Sequence, residues 1–380
     1  MKQGLAVVRG QTGWLARAKA ASHQAGIVNC VAEQSPPLFA GDPAAYVAAA
    51  PDEATRARLA VQLRNKVRKC RVCNKPNAFT LSVCNGCSSD LSDVEIGFTN
   101  NVFSSFVLGI AKGPFPFVVS MRRQSEEMLV IDDLLALTRV HLNCIPATRY
   151  IPDFLSLLQS PQRGLALIEG MFEECWRVVE EQFWPNRDGL FAADAAHSLA
   201  ELRTHVIAGF NWPPSQYQLH LQFMLPPMLP FQMLACTKRV HFTFGRFFPF
   251  EYVRAMLKCP TQFDWKETSP IEELFDFYRI HHGLDYAAVH AQCYERYMHS
   301  NSVLANWNPA DFEGVVSGAE FFPYGANGEL REDAAAPIES VDAVAAADKL
   351  VLQNYGRPYD AAGKPSGTYY KHAKKAFPEQ

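Results

Sequence analysis

The chain has 380 residues, with 36 basic against 39 acidic side chains and a formal charge of −3. Hydrophobic residues make up 48% and charged residues 20%, a globular balance that excludes wholesale disorder and has room for about two or three domains. That charge excludes nucleic-acid binding driven by bulk charge, though not by a local basic groove. No run of about 18 apolar residues is present to cross a membrane.

In chain order, the first 32 residues hold Lys2, Arg9, Arg17 and Lys19 and no acid. They read as a folded segment, a helix over 14–24 and a strand over 27–31, in a cytoplasmic protein. An organellar, for instance mitochondrial, presequence is the alternative. Residues 35–52 are rich in Pro and Ala and read as a loop, and 54–67 as a basic amphipathic helix. Strands are expected over 115–120, 128–131 and 140–145, the last stopped by Pro146. Residues 164–184 read as a helix with Ile168, Met171, Phe172, Cys175 and Val179 on one face. Strands at 203–208 and 218–225 are linked by Gly209, Asn211, Pro213 and Pro214, all turn formers. Helices follow over 270–281, with Ser269 as N-cap, and over 286–299. Residues 361–380 read as a tail. The resulting division is an N-terminal segment over 1–65, a cysteine knuckle over 66–92, a core over 93–258, a helical extension over 259–320 and a mostly irregular stretch over 321–380.

Six of the ten cysteines are scattered singly. The other four form Cys70-x2-Cys73 and, ten residues on, Cys84-x2-Cys87. Two tight turns of this kind point four thiolates at one centre, a closed tetrahedral shell that suits structural Zn²⁺. Asn74, Asn77, Asn85 and Gly86 supply the turn chemistry, and Lys66, Arg68, Lys69, Arg71 and Lys75 offset the charge of the site. A shell with no open position folds a domain and does not catalyse.

Around His220 the sequence alternates: Gln218, His220 and Gln222 against Leu219, Leu221 and Phe223. On a strand the polar three share one face and the apolar three point into the core. An imidazole between two amides suits a nucleophile attacking phosphorus, with the amides holding phosphate oxygens. A half-buried strand with a polar face is the alternative.

This stretch resembles the signature of the histidine-triad superfamily, His-x-His-x-His followed by apolar residues. It is most similar to the transferase branch, which ends in Gln and includes galactose-1-phosphate uridylyltransferases and diadenosine tetraphosphate phosphorylases. By that resemblance His220 is the nucleophile, Gln222 the transferase-type third position and Ser215 a phosphate contact. The run from Met128 to Asp132-Asp133, and then His141 to Pro146, is similar to the family's strand, acidic ribose-binding turn and following strand. The likeness covers residues 100–230. It implies an α+β fold, an antiparallel sheet of about five strands with a packed long helix, to which the chain adds the zinc knuckle before it and a helical C-terminal extension after it.

The implied activity is that of a nucleotidyltransferase, phosphorylase or hydrolase of a nucleotide phosphate ester or anhydride, working through a nucleotidyl-histidine. The substrate would be a nucleotide, nucleotide-sugar or dinucleoside polyphosphate, and a homodimer is plausible. Catalytic roles fall to His220, Gln222 and Gln218, and substrate contacts to Ser215, Asn211, Asp132, Asp133 and His141. The first triad position is Gln218 instead of His, and Gln cannot carry a proton. This tilts the reading toward transfer to an already ionised phosphate, or toward an inactive nucleotide- or RNA-cap-binding protein. A structural subunit of a larger assembly is the third class. The segment 241–250 carries five phenylalanines and reads as a core seal or a base-stacking surface. Arg122 and Arg123 read as a solvated edge or a phosphate site.

Overall fold

The computed structural model describes residues 39–40, 42–72, 74, 76–84, 89–108, 110–111, 121–125, 127–133, 136–192, 197–228, 230–237 and 241–305. The expected elements at 14–24, 27–31 and 115–120, the presequence reading and everything beyond 305 lie outside them.

Strand β1 (Phe39–Ala40) is followed by helices α1 (Pro43–Ala48) and α2 (Glu53–Gln62). Both helices start on an aspartate N-cap: Asp42 accepts from Ala45 N at 2.8 Å and Asp52 from Thr55 N at 2.7 Å. The expected loop at 35–52 therefore contains a helix. The expected helix at 54–67 ends at Gln62, and strand β2 (Arg64–Lys69) takes its last residues. β2 pairs with β3 (Pro76–Ala78) and β4 (Ile96–Asn100) in a small antiparallel sheet of order β3-β2-β4. Alternation decides here: Asn65 and Val67 are buried, whereas Arg64, Lys66 and Lys69 are exposed. Helix α3 (Val102–Val107), capped by Asn101, and strand β5 (Ile110–Ala111) close this part.

The main sheet has six strands, all antiparallel, in the order β11-β9-β10-β8-β7-β6. In chain order these are β6 (Met121–Gln124), β7 (Met128–Asp132), β8 (Thr138–Pro146), β9 (Ile207–Asn211), β10 (Leu221–Met228) and β11 (Phe247–Pro249). Between β8 and β9 run helix α4 (Pro161–Val178), a π-turn at Val179–Phe183 and helix α5 (Leu199–Thr204). Residues 203–204 thus belong to a helix, and Gly209 and Asn211 lie inside a strand instead of a turn. After β10 come α6 (Pro230–Thr237), α7 (Phe250–Lys258), α8 (Ile271–His282) and α9 (Tyr286–Leu304). Pro270, not Ser269, holds the N-cap position of α8.

The expected α+β architecture with an antiparallel sheet is present. One face of the sheet carries Val130, Leu142, Cys144, Leu221, Phe223 and Phe210 against Ile168, Met171 and Cys175 of α4. Tyr278, Tyr286 and Leu304 join the same cluster, so α8 and α9 complete the main core. The other face is covered at one end by α3, whose Phe106 packs on Leu129, Ile131 and Ile145. Its middle is polar. The 241–250 segment seals the core: Phe248 is fully buried, its ring 5.0 Å from that of Tyr286. Among the described residues no helix is long and apolar enough to cross a membrane.

Gly209 pairs with Gln222 on β10 and with Pro249 on β11. A Cβ there would sit 2.5 Å from Phe247 Cζ and 2.6 Å from the Phe248 carbonyl oxygen, and backbone cannot yield cheaply. Gly209→Ala should therefore cost about 1–3 kcal/mol, read as a lowered urea midpoint at unchanged slope. An unchanged midpoint would show that β11 is not seated on β9 as described.

Candidate functional site

The polar patch is built by strand register. Gln222 lies opposite Asn143, Met224 opposite His141, and Ile131 flanks Asn143 on the far side. All face away from the core cluster. His220 reaches this patch from the segment just ahead of β10. Leu219, Leu221 and Phe223 point into the core as the alternation predicts, but regular strand begins only at Leu221.

His220 is 7% exposed. Its Nδ1 lies 2.8 Å from the Gln218 carbonyl oxygen, an atom that can only accept. Nδ1 therefore carries the proton, and Nε2 keeps its lone pair. The Phe103 ring of α3 meets the imidazole edge to face at 4.8 Å. Burial pushes the His220 pKa below 6.5, while the Gln218 carbonyl and the Asp133 carboxylate pull the other way.

Gln218 is fully buried, and its side chain turns to β8. Nε2 donates to the Pro146 carbonyl at 3.0 Å and to the Arg149 carbonyl at 3.4 Å. Its amide nitrogen thus ties down the end of β8, and Oε1 has no hydrogen-bond partner among the described residues. The two acidic residues separate. Asp132 is taken by Arg122 in a bidentate pair at 2.6 and 2.8 Å, on the core side beside the Phe183 ring, 4.7 Å from the guanidinium. Arg122 is buried, which corrects the reading of a solvated edge. Both Asp132 carboxylate oxygens are thus engaged by Arg122.

Asp133 lies on the polar face. Its Oδ2 accepts from Asn143 Nδ2 at 2.8 Å and is 3.6 Å from His141 Nε2. His141 Nδ1 accepts the Leu137 N–H at 3.0 Å, so its proton is on Nε2 and is aimed at Asp133. Burial lowers the His141 pKa too, against the pull of Asp133 and Asp132. Asn143 Oδ1 and His141 Nε2 have no hydrogen-bond partner among the described residues. The site thus brings together His220, Gln222, Asn143, His141 and Asp133. Asn211 ends β9 opposite Phe247, and Ser215 is exposed in the turn after it.

Sequence reasoning misses the residues that hold the 212–220 segment. Gln216 Oε1 accepts from Val102 N at 2.8 Å and Asn65 Nδ2 at 3.0 Å. Asn65 Oδ1 accepts the Tyr217 N–H at 2.9 Å, and Asn101 Nδ2 donates to the Tyr217 carbonyl at 3.0 Å. The Leu219 N–H donates to the Ile151 carbonyl at 2.6 Å. These partners are far apart in sequence, and an isolated Asn carries no signal of them.

Of the four paired cysteines, Cys70 and Cys84 are buried together with Leu91; Cys73 and Cys87 lie outside the described residues. Among the described residues no group of three or more His, Cys, Asp or Glu side chains is disposed to hold a metal. Around the two sulfurs, Val72 N donates to Cys70 Sγ at 3.3 Å and Asn77 Nδ2 to Cys84 Sγ at 3.5 Å. Asn74 turns the chain with φ of 58°. Donors aimed at sulfur stabilise thiolates, so these residues fit a metal-binding turn. Comparison with family models, curated proteins and solved structures gives no match for this chain.

A histidine whose folded pKa lies below its unfolded value leaves the folded state with fewer protons as the pH falls. Stability should therefore drop as pH falls below about 6.5. The His220→Asn variant should show a shallower drop between about pH 7 and 5. In ¹⁵N-histidine spectra His220 should remain the neutral Nδ1–H tautomer below pH 6.5, and a midpoint at or above that value would contradict the burial argument.

Proposed function

We propose that this chain is a histidine-triad-like nucleotidyl-transfer protein in which Nε2 of His220 is the nucleophile. The observation that carries the reading is the bond from His220 Nδ1 to the Gln218 carbonyl at 2.8 Å. It leaves Nε2 as the unprotonated nitrogen, and burial favours the neutral ring. Nε2 would attack the α-phosphorus of a nucleotide ester or anhydride. The P–N bond forms as the bond to the leaving oxygen breaks. The imidazole of the intermediate is cationic and keeps its Nδ1 proton, and the carbonyl dipole of Gln218 is already aimed at it. An acceptor oxygen then displaces Nε2 and takes the nucleotidyl group.

Asp133 supports the same step. Its negative charge raises the His220 pKa, and so it favours the developing imidazolium. It is also the better of the two aspartates for a ribose contact, because Asp132 is spent on Arg122. Gln222 is half-buried on the polar face and suits a phosphate oxygen; exposed Ser215 suits the same role. Gln218 acts through the backbone: its carbonyl orients the imidazole and its amide anchors β8. With no proton to relay from that position, an ionised phosphate acceptor is favoured over water. The antiparallel sheet with long helix α4 on one face supports the histidine-triad reading of the fold.

Incubation with radiolabelled nucleoside triphosphates, nucleotide-sugars and dinucleoside polyphosphates should yield an acid-labile, base-stable adduct on His220. His220→Asn should abolish it with the melting temperature nearly kept. Inorganic phosphate or a sugar phosphate should discharge the adduct faster than water does. A variant lacking His220 that still turns over would end the reading; nucleotide binding with no adduct would favour the inactive binding class.

For the knuckle we propose one Zn²⁺ held by Cys70, Cys73, Cys84 and Cys87. The N–H···S contacts to Cys70 and Cys84 support it. Elemental analysis should give one zinc per chain, and Cys84→Ser should release it and lower the melting temperature. A folded, zinc-free wild type would refute the site.

A further inference from the structure

A cleft of about 870 Å³ opens between the small sheet and the body of the fold. Its volume is within the range of small-molecule sites. His220 is not among its lining residues, so it is distinct from the site above.

One wall is the outward face of β2 and β4. Arg64 and Lys66 project from β2, and Phe98 lies directly opposite Lys66 in the register. Phe98 is 61% exposed, with the Arg64 guanidinium 5.8 Å from its ring centroid. An aromatic side chain this open does not serve a core. The facing wall comes from Trp212, Tyr217, Phe263, Trp265 and Asp153. The two indoles meet edge to face at 5.4 Å. Lys66 Nζ reaches Glu267 on this wall at 2.9 Å, which ties the two walls together.

Charge then narrows the ligand. Lys66 is committed to Glu267, and Asp264 lies 3.6 Å from Lys266. Arg64 has no carboxylate partner among the described residues, although it stands at the edge of the cleft. On the other wall Asp153 Oδ1 caps the turn at Ser156, and the half-buried carboxylate lines the cleft. The cleft therefore offers aromatic surface, a carboxylate on one wall and a cation without a carboxylate partner on the other. A simple organic cation would fit the aromatics and carboxylates, but Arg64 beside Phe98 opposes it. A flat group with N–H donors, joined to an anion, satisfies all three. We infer that this cleft binds a nucleoside phosphate, with its base against Trp212, Trp265 and Phe263, its N–H edge toward Asp153 and its phosphate at Arg64. Stacking on aromatic faces beside a basic strand is a general mode of nucleotide recognition.

The inference does not depend on covalent chemistry at His220, and its test keeps the two apart. Tryptophan fluorescence of the full chain is titrated with GMP, whose guanine offers two adjacent N–H donors to a carboxylate, and with guanosine and inorganic phosphate. GMP should quench saturably. Guanosine should bind about tenfold or more weakly, the size of one charge-assisted contact, and phosphate alone should give no saturable change. Arg64→Gln, at an exposed position, should bring GMP down to the guanosine level. Asp153→Asn keeps an oxygen to cap the turn and should weaken both ligands. His220→Asn should leave the GMP affinity unchanged. No saturable quenching by millimolar GMP, or equal GMP affinities for wild type, Arg64→Gln and Asp153→Asn, would overturn the inference. Quenching that depends on Arg64 with no adduct at His220 would sink only the nucleophile.

Discussion

A single hydrogen bond sets the tautomer of His220: Nδ1 to the carbonyl of Gln218, two residues back. A residue in regular strand turns its side chain out of the plane of the sheet, away from nearby backbone carbonyls. The bond therefore requires an irregular approach, and β10 becomes regular only at Leu221. That approach needs support from outside, because a bent segment lacks the ladder that fixes a strand. Asn65 and Asn101, from the small sheet and the start of α3, provide it through Gln216 and Tyr217. The tautomer of one imidazole thus depends on residues more than a hundred positions away in the chain.

The two aspartates show how one sheet divides its charges. Asp132 ends β7 and Asp133 follows it, and their side chains take different partners. Asp132 falls on the core side, where a lone carboxylate would be costly, and Arg122 matches it with two short bonds. Asp133 falls on the polar side, with Asn143 and His141 as neighbours. Its field favours a cationic His220, yet desolvation is the larger influence on that ring and lowers its pKa.

Much of this was legible in the sequence because periodicity reports burial. Leu219, Leu221 and Phe223 reach the core as their alternation requires, and the 3.6-residue stripe from Ile168 to Cys175 faces the sheet. The helix expected over 54–67 failed at Leu63. Its last residues carry alternating burial, and pairing with β4 outweighs a helical preference spread over charged side chains. Gly209 and Asn211 looked like turn residues, yet they lie in β9. Gly209 is there because β11 approaches too closely for a side chain, and no local signal encodes that approach. The role of Gln218 was half legible: the sequence marked the position, but the carbonyl does the work, and any residue type has one. Arg122 was misread because its partner lies across a hairpin with a register shift.

The aromatic cleft and the His220 patch share a partition. Residues 150–153 and 212–219 form it: Tyr150, Asp153, Trp212 and Tyr217 line the cleft, while Ile151 and Leu219 join the two strips by a backbone bond. From Tyr217 to His220 the chain spans three residues, at most about 11 Å even if fully extended. Asn65 neighbours Arg64 and Lys66 of the cleft wall and also holds Tyr217. The bonds from Asn65 to Gln216 and Tyr217 therefore join β2 to the segment that leads into β10. The small sheet, marked in the sequence only by its cysteine knuckle, is thereby a wall of the cleft and a brace of the segment leading to His220.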